Sequence, residues 1–222
     1  MQIEYRPARS ADVDALLKIK QSVWPEEETS LAQISQALAE PGRICTVAEA
    51  TGQVVGFMDC FTTHDMQNKL RLEMDLLAVR PDFQGNGIAS MMIAHCLRRA
   101  EPLSYAFARS LIQISNIASQ HAFQHNGFIA QEQTLNLYVI GADHANIQSD
   151  TGLCGTPVWV NTFGYTGYWL EAPLSTGKPH LSRPFQTCGA LIPQDSPWES
   201  LAQQTGYEFI HPYQWWIRPG IS

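Results

Sequence analysis

The sequence predicts a mixed α/β fold, an α+β sheet with helices on its faces, followed by a loop-rich, aromatic C-terminal extension. Three observations predict it. Over residues 1–140, apolar runs of period two alternate with stretches of helical spacing. The breaks between them are hairpin signals or helix ends closed by glycine and proline. Beyond residue 140 the texture changes, because residues 141–222 hold nine of the 15 glycines and five of the six tryptophans.

Taken in order, IEY (3–5) reads as a short strand. Ser10 is then expected to cap a helix, with Asp12 and Asp14 in its first turns and Val13, Leu16, Leu17 and Ile19 as its apolar face. A second helix fits 30–39 and is closed by Pro41-Gly42. Strands at 44–50 and 53–63 meet through Thr51-Gly52, a hairpin signal. LRLEMDLLAV (70–79) is a longer strand, and from Gly87 to about Ala100 the residues Ile88, Met91, Met92, Cys96 and Leu97 recur at helical spacing. SLIQI (110–114) is a strand, 117–126 a helix closed by Gly127, and 128–140 a strand again. The extension carries aromatic strands such as TPVWVNTFGYTGYWL (156–170).

With 222 residues, 45% of them hydrophobic and 16% charged, the chain can bury a sizeable core as one large domain or a domain plus an addition. A net charge of −7 and a pI near 5.4 argue against a broad nucleic-acid-binding face. The five cysteines are scattered without CxxC spacing and suit a reducing compartment. The N-terminus lacks an apolar signal core, and no apolar run approaches the roughly 18 residues of a membrane span. The expectation is a soluble, cytoplasmic protein with neither nucleic-acid nor membrane partners.

The chemistry concentrates in VRPDFQGNGIAS (79–90), where a strand hands over to a helix through two glycines. Such a turn points several N–H groups at one spot, at the positive end of the helix dipole. Glycine permits positive φ and leaves no side chain in the way of a phosphate. No Gly-Lys-Ser/Thr follows, and Ser90 stands at the third glycine position of the dinucleotide fingerprint, so neither of those motifs fits. On this alone, a simple strand-to-helix turn remains the alternative.

The longer pattern of Val79, Pro81, Gln84, Gly85, Gly87 and Ala89 resembles the acyl-CoA-binding motif of the GNAT acyltransferase superfamily. A second signature, Asn116, Ser119, Ala122, Phe123, Gly127 and Phe128, resembles that family's N-x-x-A-x-x-L-Y-x-x-x-G-F. The resemblance covers residues 1–140 as a GNAT-like domain, and 141–222 lie outside it. It implies an acyl-CoA donor, expected to be acetyl-CoA, lying along Leu77, Ala78 and Val79, with backbone groups of Leu77 and Val79 bonding the pantetheine arm. The pyrophosphate would rest on the loop of Gln84, Gly85, Asn86, Gly87, Ile88, Ala89 and Ser90. Asn116 would stand beside the thioester and Phe123 close by. The implied reaction is direct acyl transfer to an amine in a ternary complex, with no metal.

An ammonium must lose a proton before it attacks a thioester, so a carboxylate near the strand is useful. Glu73 and Asp75, two apart, share one face of the strand. Glu73 occupies the place where many members of the family carry a general base; the bland alternative is a solvated face or pairing with Lys69 or Arg71. Phe123 departs from the family, which commonly has a tyrosine there to protonate the leaving thiolate. Ser119 and Asn116 are the neighbours able to supply a hydrogen bond or a water. The rival reading is a non-catalytic acyl-CoA-binding module.

Other signals are weaker. His121 and His125 have the spacing of a helical metal pair but no third ligand, and a solvated helix face is the simpler reading. Residues 110–128 align without gaps on 189–207 at an offset of 79, either by chance or because the extension is a degenerate partial repeat of the GNAT-like unit without its glycine loop. The aromatics Trp159, Phe163, Tyr165, Tyr168, Trp169, Trp215 and Trp216 are expected to form the extension's own core. The alternatives are that some close the acceptor pocket or build a homodimer interface.

Overall fold

Thr51 and Gly52 both take positive φ, 49° and 77°, and fold strand β2 (Ile44–Ala50) back onto β3 (Gln53–His64). The computed structural model describes residues 2–144 and 151–220. Before that hairpin come β1 (Ile3–Pro7), α1 (Val13–Val23) and α2 (Leu31–Leu38). Ser30 caps α2, accepting from the Gln33 N–H at 3.2 Å. Ser10 does not cap α1. Residues Ser10–Asp12 form a 3-10 turn, and the Asp12 carboxylate instead accepts from the Arg9 N–H at 2.7 Å and pairs with Arg6 at 2.8 Å.

After β4 (Leu70–Val79) the chain enters α3 (Ile88–Ala100), β5 (Phe107–Gln113), α4 (Ile117–His125) and β6 (Ile129–Gly141). The extension supplies β7 (Leu153–Asn161), β8 (Thr166–Thr176), β9 (Thr187–Pro193), α5 (Trp198–Gln204) and β10 (Glu208–Pro219). All the strands join one 10-stranded sheet, in the order β1-β2-β3-β4-β5-β10-β6-β9-β8-β7. The last strand of the extension thus lies between β5 and β6, antiparallel to both.

Outward from the central β10–β6 pair, β5 matches β9, β4 matches β8 and β3 matches β7. The β4–β5 and β8–β9 pairs are both parallel. No helix joins β8 to β9 where α3 joins β4 to β5.

Two layers cover the first half of the sheet. On one face α3 and α4 bury Met92, Ile93, Cys96 and Phe123 against Phe128 and Trp216. On the other, α1 and α2 bury Leu16, Ile19 and Ile34 against Phe57. Each such large apolar side chain contributes about 1.5–3 kcal/mol when removed from water. The β7–β8 hairpin folds over this second face. Its Phe163 packs on Phe57 with ring centroids 5.5 Å apart. Arg43 donates to the Asn161 carbonyl while pairing with buried Asp59 at 2.6 Å.

The aromatics of the extension therefore do not form a single core of their own. Tyr168 and Trp159 pack with the α5 cluster, Phe163 with α1 and α2, and Trp216 with α3 and α4. The reason is topological, since β10 and the hairpin are built into the first half.

Candidate active site

Strand β4 pairs with β5 only from Arg71 to Glu73, opposite Phe107 to Arg109, and then leaves it. On its other edge β4 stays bonded to β3, with a bulge between Met74 and Leu77 where one extra residue sits on β4. The bulge changes which side chains face which layer. Leu72 and Met74 face α3 and α4 before it, and Leu77 and Val79 do so after it. The Arg80 N–H donates to the Val55 carbonyl at 2.9 Å. Alternation along an antiparallel ladder then turns the N–H and C=O groups of Leu77 and Val79 toward the open edge left by β5.

That edge continues into the glycine loop. Gly85 and Gly87 adopt φ of 77° and 73°, and a Cβ at either would meet nothing within 4 Å. Packing does not require these glycines. The backbone turn does, and so does open space above it. The first helical bond of α3 runs from the Met91 N–H to the Gly87 carbonyl at 3.1 Å, so the amides from Gly85 to Ser90 have no described backbone acceptor. No acidic residue occupies the first turn of α3. Six consecutive amides at a helix N-terminus without a local anion make a cradle suited to a pyrophosphate.

A groove of about 830 Å³ runs from this cradle along β4 to α4. Leu77, Ala78 and Val79 form one wall, and Gln84, Gly85, Gly87, Ile88, Ala89 and Ser90 the floor near the loop. Gln84 braces the turn by donating to the Val79 carbonyl at 3.0 Å. The Asn86 side chain does not line the groove. It bends back to donate to the carbonyls of Phe83 and Gln84, each at 3.1 Å. His121 and His125 are solvent-exposed on α4, as a solvated helix face requires, and both also line the rim of the groove.

A second cavity of about 360 Å³ opens at the far end of the groove, and Trp24, Leu77, Asn116 and Ser119 line both. Asn116 caps α4, its Oδ1 accepting from the Ser119 N–H at 3.1 Å, and the residue lines both cavities. Phe123 lines this second cavity rather than the groove, 2% exposed and edge-on to Phe128 at 5.0 Å. It brings no proton donor.

Asp75 and Glu73 part company here. Asp75 lies at the bulge, partly exposed to the second cavity. Burial, then the negative charge of Asp59, push its carboxyl up to about 7, a rise that Arg43 opposes and that Glu73 and Glu27 add to. Glu73 does not line either cavity. It is 2% exposed, accepts from the Thr63 hydroxyl, and is held by Arg109 at 2.8 Å with Arg71 at 3.5 Å. Arg71 and Arg109 both reach Glu171 of β8, and Arg109 stacks on Trp215 at 4.0 Å. This buried network ties the last paired rung of β4 and β5 to the extension.

The rest of the second cavity comes from segments that motif matching does not reach. Glu27 and Trp24 sit in the α1–α2 connection, Thr162, Gly164 and Tyr165 at the hairpin tip, Trp169 on β8 and Tyr213 on β10. The aromatic and acidic run WPEEE (24–28) between two helices was the available signal for the first pair. Among the described residues, no cluster of three or more metal-ligating side chains occurs, and no helix is long and apolar enough to cross a membrane.

Residues 13–128 match the Acetyltransferase (GNAT) family, and the chain belongs to it. An aminoglycoside N(6')-acetyltransferase type 1 of Stenotrophomonas maltophilia is 28% identical over 94 residues, which are 40% of this chain and 61% of that protein. The crystal structure of a ribosomal-protein-alanine N-acetyltransferase from Brucella melitensis superposes with a TM-score of 0.54 at 26% identity, covering 60% of this chain and 88% of that one. A glucosamine N-acetyltransferase region of a fungal multi-domain GH3 β-N-acetylglucosaminidase shares the fold over 98% of this chain and 38% of that one, with a TM-score of 0.66 at 10% identity. The last superposition includes the extension.

Proposed function

We propose that this member of the GNAT family transfers the acetyl group of acetyl-CoA to the amine of a small cationic molecule or a peptide, by direct attack in a ternary complex. One observation carries the reading. The groove with the amide cradle and the smaller cavity with Asp75 meet at Leu77, Asn116 and Ser119, so a donor in one and an acceptor in the other would share a single point.

The roles follow from position. The amides from Gly85 to Ser90 would hold the pyrophosphate, and the exposed edge of Leu77 and Val79 the pantetheine arm. Thioesters supply an acyl carbon that a free amine can attack. Asp75, raised to about 7, is poised to take the proton of an incoming ammonium near neutral pH. The base thus moves from Glu73, whose oxygens are occupied by Arg109 and Thr63, to Asp75. Asn116 and Ser119 orient the reacting groups at the joint.

The extension completes the acceptor side. Its strands pair outward from β10 and β6 in the same order as the first half, and β9, α5 and β10 follow β5, α4 and β6 at a nearly constant offset. This supports reading 141–222 as a degenerate partial repeat that gave up the donor loop and became a wall of the pocket.

Phe123 favours the rival, a module that binds acyl-CoA without turnover. Assaying CoA release and product mass across an amine panel tests both readings. Acetylated product supports the enzyme, whereas stabilisation by CoA with no product on any amine supports the module. Absence of CoA binding removes both.

A further inference from the structure

Lys20 is wholly buried, at 0% exposure, and its ammonium donates to Glu27 at 2.5 Å. Gly164 closes behind it, since a Cβ there would stand 3.2 Å from Cε and Nζ of Lys20. Burying an ammonium is expensive, and a pair whose partner stays half exposed returns little stability. Yet Glu27 is that partner, its side chain 50% exposed. What the pair does accomplish is to fix one carboxylate oxygen on the wall of the acceptor cavity and leave the other free.

The charge of Glu27 reaches across that cavity. After burial, it is among the causes that raise the Asp75 carboxyl, and it also raises the Tyr213 phenol. The described lining holds two carboxylates, Asp75 and Glu27, and no lysine, arginine or histidine. Trp24, Tyr165, Trp169 and Tyr213 add aromatic surface, which also suits cations. The two acids differ in kind. Asp75 lies beside the joint where transfer would occur, while Glu27 is clamped by a side chain that has no route to the donor groove.

We propose that Glu27, held by buried Lys20, anchors a second cationic group of the acceptor, so that the preferred acceptors are diamines or larger polycations whose other amine reacts beside Asp75. This rests on the acetyl-transfer reading. In the step itself the Asp75 carboxylate takes a proton from one ammonium, the freed amine forms the C–N bond, and the C–S bond breaks with its electron pair passing to sulfur. The nitrogen sheds its second proton, and sulfur gains one to leave as the thiol. The distal ammonium stays on Glu27 throughout.

Steady-state kinetics with acetyl-CoA and a series of α,ω-diaminoalkanes, each against the monoamine of matched length, test the proposal. The wild-type protein is expected to favour the best diamine in kcat/KM by about tenfold to a hundredfold, the worth of one charged hydrogen bond. In Glu27→Gln, and in Lys20→Met/Glu27→Gln, which strands no buried lysine, that ratio should fall close to unity, with the loss in KM for the diamine. A wild-type protein without diamine preference, or a preference that survives the double variant, overturns the proposal. Turnover of no amine at all would instead bring down the acetyl-transfer reading beneath it.

Discussion

Replacing Asp75 by Asn should make the free protein more stable and the enzyme inactive. The carboxyl rises from 3.8 to about 7 on folding, chiefly because it leaves water. Where the folded-state value is the higher, the folded protein holds its proton after the unfolded chain has released it. Stability therefore falls as pH rises from about 4 to 7, by up to about 1.4 kcal/mol per pH unit, and the penalty is complete above pH 7. The shift of roughly three units sets its ceiling at about 4 kcal/mol. Asn carries no such penalty. Urea unfolding of both proteins at pH 5 and pH 8 should show the Asn variant gaining at least about 2 kcal/mol more at the higher pH. Its acetyl-transfer rate should drop by about a hundredfold or more. A variant that is less stable than wild type at pH 8, or whose gap does not widen between the two pH values, refutes the reasoning about Asp75.

Glu73→Gln should do the opposite, costing about 3–5 kcal/mol in urea unfolding because Arg109 and Arg71 lose a buried partner. The rise of rate with pH around 7 should survive in the folded fraction, since Asp75 remains. Gly87→Ala should cost about 1–2 kcal/mol for its positive φ, and raise KM for acetyl-CoA at least tenfold by placing a methyl in the amide cradle; equal effects on KM for the amine would contradict this. Phe123→Tyr should raise kcat by about tenfold or more by adding the missing proton donor, and an unchanged kcat would assign the proton to water or to another group at the joint.

The turn and helix starts that form the proposed donor half were legible because their signals are local. Gly85, Gly87, Gln84 and Asn116 lie in short windows whose spacing follows from a turn and a helix start. The cavity proposed for the acceptor was not, because it is assembled across long separations. Glu73 sits in a strand pattern that reads equally well as a catalytic face. Only the pairing with Arg109 and, through it, Glu171 of β8 shows that it is sealed in an ion-pair network.

The bulge at Asp75 is likewise silent in the sequence, where LRLEMDLLAV reads as a regular strand. The separation of the extension suggested by composition also has a physical explanation. Glycine, proline and aromatic enrichment report turns and half-buried strands, but carry no information on which edge those strands join. Here β10 joins the gap between β5 and β6, and the hairpin tip reaches back to Asp59 through Arg43.

The central claim is that a donor held on the amides of the glycine loop meets an amine beside Asp75. Its most direct test is to incubate the protein with acetyl-CoA and a panel of mono- and diamines, and to follow CoA thiol release alongside product mass. The account predicts acetylated amine in step with released thiol, at a rate that rises through pH 7 and is lost in Asp75→Asn. Binding of CoA without acetylation of any amine, or full activity in Asp75→Asn, would contradict it.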